Sequence, residues 1–312
     1  MPRDVLVLGG TGFVGRHVVA KLAAQGHRVV VPTRRRDRAR EVVLLPTVTV
    51  VEASVSDSRR LAELVARADC VVNLVGILHE QGRETFAAAH VELPRSVVAA
   101  CKSAGVRRLV HMSALGASAD GPSRYQRSKG EAEALVAASG LDWTILRPSV
   151  IFGRGDSFLA MFAKLLRLMP VVALAVPNAR FQPVWIGDVA HCFAHSVDDA
   201  RTIGQRYDLC GPQVYTLREL VAYVGRVSGH PRPIVPLGPG LSALQARLLE
   251  LLPVKLMTRD NLASMSRDNV SDAPFPPVFG IEPRALEAIA PEYLGAASAR
   301  SRYDEFRAHG GR

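Results

Sequence analysis

Tyr125 and Lys129 stand four residues apart, a spacing that puts both side chains on one face of a helix. A free phenol has a pKa of about 10, too high for easy proton exchange at neutral pH. A nearby ammonium favours the phenolate and lowers that pKa, so the pair reads as a proton donor with its tuner. Upstream, His111-Met112-Ser113-Ala114 offers a serine hydroxyl to hold a substrate oxygen beside Tyr125. The chemistry that suits Tyr125, Lys129 and Ser113 is proton exchange with an oxygen whose carbon gains or loses a hydride. The competing reading is a surface tyrosine with a solvated lysine, because Tyr-x-x-x-Lys often arises by chance.

A second constellation opens the chain. Gly9-x-x-Gly12-x-x-Gly15 follows the apolar run Val5–Leu8 and leads through the amphipathic stretch Val14–Leu22 to a second apolar run, Val29–Val31. Strand, glycine turn, helix and strand in that order form the opening unit of a dinucleotide-binding fold. Gly9 allows the tight turn, Gly12 lets backbone N–H groups reach a pyrophosphate, and Gly15 lets the helix sit close on the strand. The phosphate then lies at a helix N-terminus, where unpaired N–H groups and the dipole favour negative charge.

Past the second run, Thr33-Arg34-Arg35-Arg36 occupies the place where a carboxylate would hold the ribose of NAD. Arg34 first, and Arg35 next, suit a 2′-phosphate, so NADP(H) is the expected cofactor and NAD(H) the alternative. A solvated basic loop is the competing reading. Ser54 and Val55 lie in the loop expected along the adenine. Leu74, Val75 and Gly76 end the fourth run, where Gly76 would admit the adenosine ribose and pyrophosphate.

The elements that must position these groups are legible as a rhythm. Strand-like runs recur at Val5–Leu8, Val29–Val31, Val48–Val51, Cys70–Val75, Arg108–Met112 and Trp143–Leu146. Helical patterns fill the gaps at Gly15–Ala24, Ser58–Ala68, Pro94–Ala104 and Tyr125–Ser139. This alternation predicts an α/β fold, a doubly wound parallel Rossmann sheet with helices on both faces. Residues 1–150 are expected to form the nucleotide-binding domain and 151–312 a smaller substrate lobe, with a return strand to the sheet near 206–210. Two apolar helical stretches mark the lobe, Phe158–Leu168 and Leu241–Leu252. The first carries Phe158, Leu159, Met161, Phe162, Leu165 and Leu166 at helical spacing. It reads as a core helix, or as a greasy lid for a lipid- or quinone-like substrate or a docking face on a membrane complex. The polar tail from Ala297 is expected to fray.

Composition narrows the classes. At 48% hydrophobic, the 312 residues can bury an ample core, so disorder is not expected. The net charge of +10 suits anionic partners. Outside Arg34–Arg40 the basic residues are scattered and no aromatic platform accompanies them, which argues against nucleic acid. Cys70, Cys101, Cys192 and Cys210 form no CxxC pair and read as buried thiols of a reducing compartment. The first strand-like run starts at Val5, which leaves no room for a signal peptide; a cytoplasmic location is expected, with peripheral membrane association as the variant. His191 and His195 have the spacing of helical metal ligands but lack HExxH and a third ligand, so no metal is expected. Asp188 reads as a helix N-cap, and Arg147 as a cofactor contact or the partner of a carboxylate.

With the glycine turn, Tyr125-x-x-x-Lys129 and Leu146-Arg147-Pro148-Ser149-Val150-Ile151-Phe152-Gly153 in order, the chain resembles the short-chain dehydrogenase/reductase superfamily. The glycine spacing is similar to the extended and atypical branches, which include sugar-nucleotide epimerases and dehydratases. Asn73–Leu78, His111–Ala117, Phe181–Ala190 and Tyr207–Pro212 resemble the nucleotide-binding accessory subunit of respiratory complex I and its bacterial relatives. That resemblance implies bound NADP(H), with Gly9, Thr11, Gly12, Phe13 and Val14 around the pyrophosphate and Arg34 on the 2′-phosphate. It further implies Tyr125 and Lys129 on the nicotinamide ribose, and backbone after Pro148, as far as Ile151, on the carboxamide. Two departures stand out. The superfamily's catalytic hydroxyl aligns with Ser113 or Ala114, and if with Ala114, Ser123 is the nearby substitute; Ser54 replaces the adenine-binding aspartate. Three functions follow: an NADP(H)-dependent oxidoreductase with a small, hydrophobic substrate, a nucleotide-stabilised subunit of a respiratory complex or redox sensor, and an NAD-dependent epimerase or dehydratase.

Overall fold

The alternating apolar runs and amphipathic stretches resolve, in a computed structural model, into a sheet of seven strands. The structure describes residues 1–82, 84–250 and 257–295; the tail from Ala297 and the last two positions of the expected helix Leu241–Leu252 lie outside them. Six strands come first in sequence: β1 (Asp4–Leu8), β2 (Arg28–Thr33), β3 (Val48–Glu52), β4 (Cys70–Asn73), β5 (Arg108–Met112) and β6 (Asp142–Pro148). The seventh, Gln205–Leu209, lies alongside β6 as the expected return strand. The order is seventh-β6-β5-β4-β1-β2-β3, and every pair is parallel. Val5 to Leu8 are at most 1% exposed, the signature of a strand covered on both faces. Among the described residues no helix is long and apolar enough to cross a membrane, and all four cysteines are buried free thiols.

Four helices connect these strands: α1 (Phe13–Ala24), α2 (Ser58–Val65), α3 (Leu93–Ala104) and α4 (Arg124–Ala137). The first three each bury an apolar stripe, as α3 does with Leu93, Val97, Val98 and Cys101 against Leu6, Leu8, Val71 and Leu109, whereas α4 buries a mostly polar face of Gln126, Ser128, Lys129 and Glu133 beside Ala132 and Val136. Register then fixes the working edge. Leu8 pairs with Asn73 and Asn73 with His111, so β1, β4 and β5 end level with one another. The chain runs outward from β1 to β2 and β3, then returns to β4 on the other side. The crevice beyond the carboxyl ends of β1 and β4 is therefore the topological switch point, where ligands of such sheets bind.

Two local features shape that edge. Pro94 has no N–H to continue the helical ladder, and the chain before it widens into a π turn, Ala87–Glu92, which carries His90. Ser123 caps α4: its Oγ accepts from the Gln126 N–H at 3.1 Å while the Gln126 side chain returns to the Ser123 N–H.

The described chain divides into two units. The first comprises Met1–Pro148, Ile186–Leu209 and Ser271–Glu282. The second comprises Ser149–Trp185, Cys210–Val270 and the described residues from Pro283. The expected single lobe from 151 to 312 is thus divided, because the helix Ile186–Asp198 packs along α1 and shares the sheet's core. The buried Arg108 guanidinium ties that segment down, donating to the Ser196 carbonyl and, at 2.8 Å, to Thr202 Oγ1. In the second unit, the helix Phe158–Leu168 buries Leu159, Phe162 and Leu166 against Leu217, Leu220 and Val224. This is the core-helix reading, while Leu168 and the adjoining Met169 are exposed at its end. The helix Pro239–Glu250 is arranged the other way. It buries Ser242 and Ala246, while Leu241, Leu244 and Leu248 are more than half exposed.

Candidate functional site

The turn after β1 is built by removing side chains. Gly9 has φ +79°, the left-handed region that favours glycine. A Cβ on Gly15 would stand 2.1 Å from the Gly9 carbonyl oxygen and 2.6 Å from Gly10 Cα, both backbone atoms that cannot step aside. Gly12 donates its N–H to the Gly9 carbonyl at 3.0 Å and occupies the N-cap of α1 without any side-chain cap. The first N–H groups of a helix have no intrahelical acceptor, so those of the Phe13–Val14 turn are left for an anion. This cradle, with Thr11 on its rim, fits a pyrophosphate.

At the adenosine end, Arg34 extends from the end of β2 and pairs with Glu84 at 2.7 Å. Arg35 instead forks onto Asp37 in its own turn, at 3.2 and 2.7 Å. Beyond β3, Ser54 Oγ accepts from the Ser56 N–H at 3.4 Å, and Val55 packs partly into the sheet's core. Leu74 is buried, donating its N–H to the Leu8 carbonyl at 3.0 Å. The backbone around Pro148 is fixed by the Leu115 N–H, which donates to its carbonyl at 2.9 Å. Ile151 belongs to the second unit, where it pairs with Val184.

Beyond β4 and β5 the site consists of buried polar side chains. Asn73 Oδ1 accepts the Val75 N–H at 3.2 Å, so its Nδ2 donates to His111 Nδ1 at 3.3 Å. The His111 proton therefore sits on Nε2, which is buried and has no partner among the described residues. His90 Nε2 accepts the Ile77 N–H at 3.0 Å, so its Nδ1 donates to Ser128 Oγ at 2.8 Å. Ser128 passes the sequence on, donating to the Tyr125 carbonyl at 2.8 Å. Both imidazoles are neutral: burial, aided by the Lys129 charge, pushes His90 down to about 2 and His111 to about 3.

Lys129 is 2% exposed and donates from Nζ to the Met112 carbonyl at 3.1 Å. Burial lowers its pKa to about 8, opposed by the Glu133 carboxylate one turn further along α4. The buried Glu133 is itself held by a two-pronged Arg147, which answers the alternatives for that arginine in favour of a carboxylate. Lys129 also explains Gly76. A Cβ there would meet Nζ at 3.2 Å and His90 Nε2 at 3.5 Å, so the space that glycine leaves is filled by protein.

Tyr125 is half-buried, its ring edge-on to Phe86 at 5.9 Å and to His90 at 5.5 Å. Burial raises its phenol to about 12. This corrects the expectation of a lowered pKa: the ring is shielded from water, and Lys129 is turned onto the Met112 carbonyl. Ser113 follows β5 at 2% exposure, with Oγ buried and without a partner among the described residues. Ser123 is committed to the α4 cap, so it is Ser113 that keeps an unmatched hydroxyl. An orphaned buried oxygen beside the Lys129 anchor, together with the glycine cradle, fits a nicotinamide dinucleotide with its substrate.

Sequence reasoning missed His90, His111, Asn73 and Glu133 as parts of this cluster, since no motif spacing joins them. His191 and His195 are engaged separately, by the Phe279 carbonyl at 2.9 Å and Asp199 at 2.7 Å. Asp188 lies within the first turn of its helix, not at the cap.

A parallel doubly wound sheet with this turn defines an NAD(P)-binding Rossmann protein, and residues 9–156 match a family described as NAD(P)H-binding. The chain belongs to the short-chain dehydrogenase/reductase superfamily, in the branch that holds a complex I subunit. It is 31% identical over 297 residues to the mitochondrial NADH dehydrogenase (ubiquinone) 1 alpha subcomplex subunit 9 of Mus musculus, covering 92% of this chain and 78% of that protein. A ceramide reductase of Caulobacter vibrioides is 30% identical over 60% of this chain and 58% of its own length. Among solved structures, a dTDP-glucose 4,6-dehydratase from Streptomyces venezuelae, determined with NAD bound, superposes with a TM-score of 0.74 at 19% identity. That match covers 96% of this chain and 99% of the other, and it speaks to the fold.

Proposed function

We propose that this protein is an NADP(H)-dependent oxidoreductase acting on a carbonyl or alcohol. The observation that carries the reading is the buried Ser113 hydroxyl, unmatched among the described residues, one residue beyond the carbonyl that anchors Lys129. Bound nicotinamide supplies the hydride. Ser113 then orients the substrate oxygen, Tyr125 gives that oxygen a proton, and Lys129 holds the nicotinamide ribose. A phenol near 12 is fully protonated at neutral pH, which favours the donor role and hence carbonyl reduction. The preference for NADP(H) rests on Arg34, with Arg35 already matched to Asp37. Pyrophosphate contacts are assigned to Gly9, Thr11, Gly12, Phe13, Val14 and Gly15. Leu74, Val75, Ser54, Val55 and the backbone at Gly76, Pro148 and Ile151 complete the cofactor set. The 1–150 and 151–312 division of labour, with the later part recognising substrate, is proposed in the same sense. Tyr125→Phe tests the reading: turnover should fall about a thousandfold while NADPH affinity stays within a few-fold. Unchanged turnover would remove Tyr125 from the chemistry.

A second reading is a nucleotide-stabilised accessory subunit at a membrane, favoured by the mouse relative's name and by the outward Leu241, Leu244 and Leu248. Sedimentation with vesicles of anionic phospholipid tests it. Binding lost on replacing all three leucines with serine supports it, and no binding by the parent protein removes the membrane role.

A further inference from the structure

Arg34 and Glu84 approach from opposite sides of β1. Arg34 follows β2 and Glu84 lies in the segment after β4, and the strands flanking β1 are about 10 Å apart. Their 2.7 Å ion pair therefore spans the mouth of the switch-point crevice, beyond the glycine turn. The segment that carries Glu84 is held in shape. Gln81 and Glu84 exchange backbone hydrogen bonds at 3.0 Å each, and Glu80 accepts from the Phe86 N–H at 2.9 Å. Glu80 also pairs at 2.8 Å with Arg124, the residue before Tyr125. The strap thus runs from the adenosine end of the site to the proton-donor end, with one carboxylate fastening it at each.

We infer that Glu84 determines cofactor preference: its carboxylate occupies the Arg34 guanidinium that a 2′-phosphate needs. An NADP(H) phosphate must displace Glu84, whereas NAD(H), lacking that phosphate, leaves the pair in place and its neutralised arginine unburdened. Both partners are more than half exposed, at 62% and 51%, so the exchange is a weak one in which a doubly charged phosphate outcompetes a carboxylate. Arg35 is different, because its partner Asp37 belongs to the same turn.

The inference rests on the 2′-phosphate reading of Arg34, and calorimetric titration separates the two. The probes are NADPH and NADH, with adenosine 2′,5′-bisphosphate and AMP as the minimal pair differing only in the phosphate. Glu84→Gln should raise the NADPH-over-NADH affinity ratio about fivefold, the most an exposed ion pair is ordinarily worth. The same change made on Arg34→Ala should leave the ratio unmoved. Glu80→Gln, which loosens the other end of the strap, should alter both nucleotides alike. A ratio within twofold of the parent for Glu84→Gln overturns the inference, as does an equal rise for Glu80→Gln. Should Arg34→Ala leave the parent's preference intact, the 2′-phosphate reading itself fails.

Discussion

At the turn after β1 the backbone is the binding surface, and side chains have been stripped away to expose it. Beyond β5, at the same sheet edge, the backbone is the scaffold and buried side chains carry the chemistry. Gly12 and Gly15 work because they present nothing; Lys129, His90, His111 and Ser113 work because each presents a polar atom where water is excluded. The first region is limited by volume, and the second by the cost of burying charge. A turn of the first kind is held by its own backbone, as in the Gly12 N–H bond to the Gly9 carbonyl. A cluster of the second kind is held together at the expense of the fold, a trade that a site makes when it needs shifted proton affinities.

The difference is broken most severely by Gly15→Ala. Its Cβ would sit inside contact distance of two backbone atoms, so the turn must open. We expect loss of on the order of 3 kcal/mol of stability and no measurable NADPH binding, read by urea unfolding and nucleotide fluorescence. Wild-type unfolding free energy with ordinary NADPH affinity would show that the turn yields.

Lys129→Met tests the opposite region and should act in the opposite direction. Burial lowers Lys129 from 10.5 to about 8, so below pH 8 the folded state carries a charge it would rather release. Between pH 8 and 10.5 the unfolded chain holds a proton that the folded chain has lost, and stability rises with pH. Methionine should therefore stabilise the fold by about 3 kcal/mol at pH 7, with the gain vanishing above pH 10.5, while nucleotide affinity falls. Urea midpoints at pH 7 and pH 10.5 decide it; equal gains at both would deny the buried charge.

A further pH dependence follows from the imidazoles. His90 and His111 stay neutral when folded but titrate near 6.5 when unfolded, so stability falls as pH drops below 6.5, and the loss saturates near the folded values of about 2 and 3. His111→Gln should flatten that slope by about 1.4 kcal/mol per pH unit between pH 5.5 and 4. An unaltered slope would mean that His111 is charged or exposed.

The smallest is Ser123→Ala, which removes the α4 cap. It should cost about 1 kcal/mol in thermal unfolding and leave nucleotide affinity unchanged. A large loss of turnover with normal stability would instead give Ser123 a chemical role.

How far the chain could be read follows the same division. Strand runs such as Val5–Leu8 and Arg108–Met112 and the glycine spacing are local patterns, because the periods of strand and helix write themselves into adjacent residues. The return of Gln205–Leu209 to β6 was also legible, as a short segment closed by Gly211-Pro212, although its residues are mostly polar. The division of the second half was not: the helix Ile186–Asp198 is apolar on a face that any neighbour could cover, and only packing assigns it to α1. Around Tyr125, the i to i+4 pairing was visible while the sign of the pKa shift was not. That sign depends on Phe86 and His90, which are about 35 to 40 positions away in sequence.

By itself the sequence determined a parallel nucleotide-binding sheet, the glycine turn at its edge, and the helix that carries Tyr125 and Lys129. Periodicity and glycine geometry act over a few residues, so one dimension suffices for them. The tertiary structure alone decided the charge states, hydrogen-bond directions and pairings: neutral His90 and His111, the protonated phenol, the unmatched Ser113 and the Arg34–Glu84 clasp. Burial and electrostatics are properties of everything that surrounds a group, and its surroundings exist only once the chain has folded.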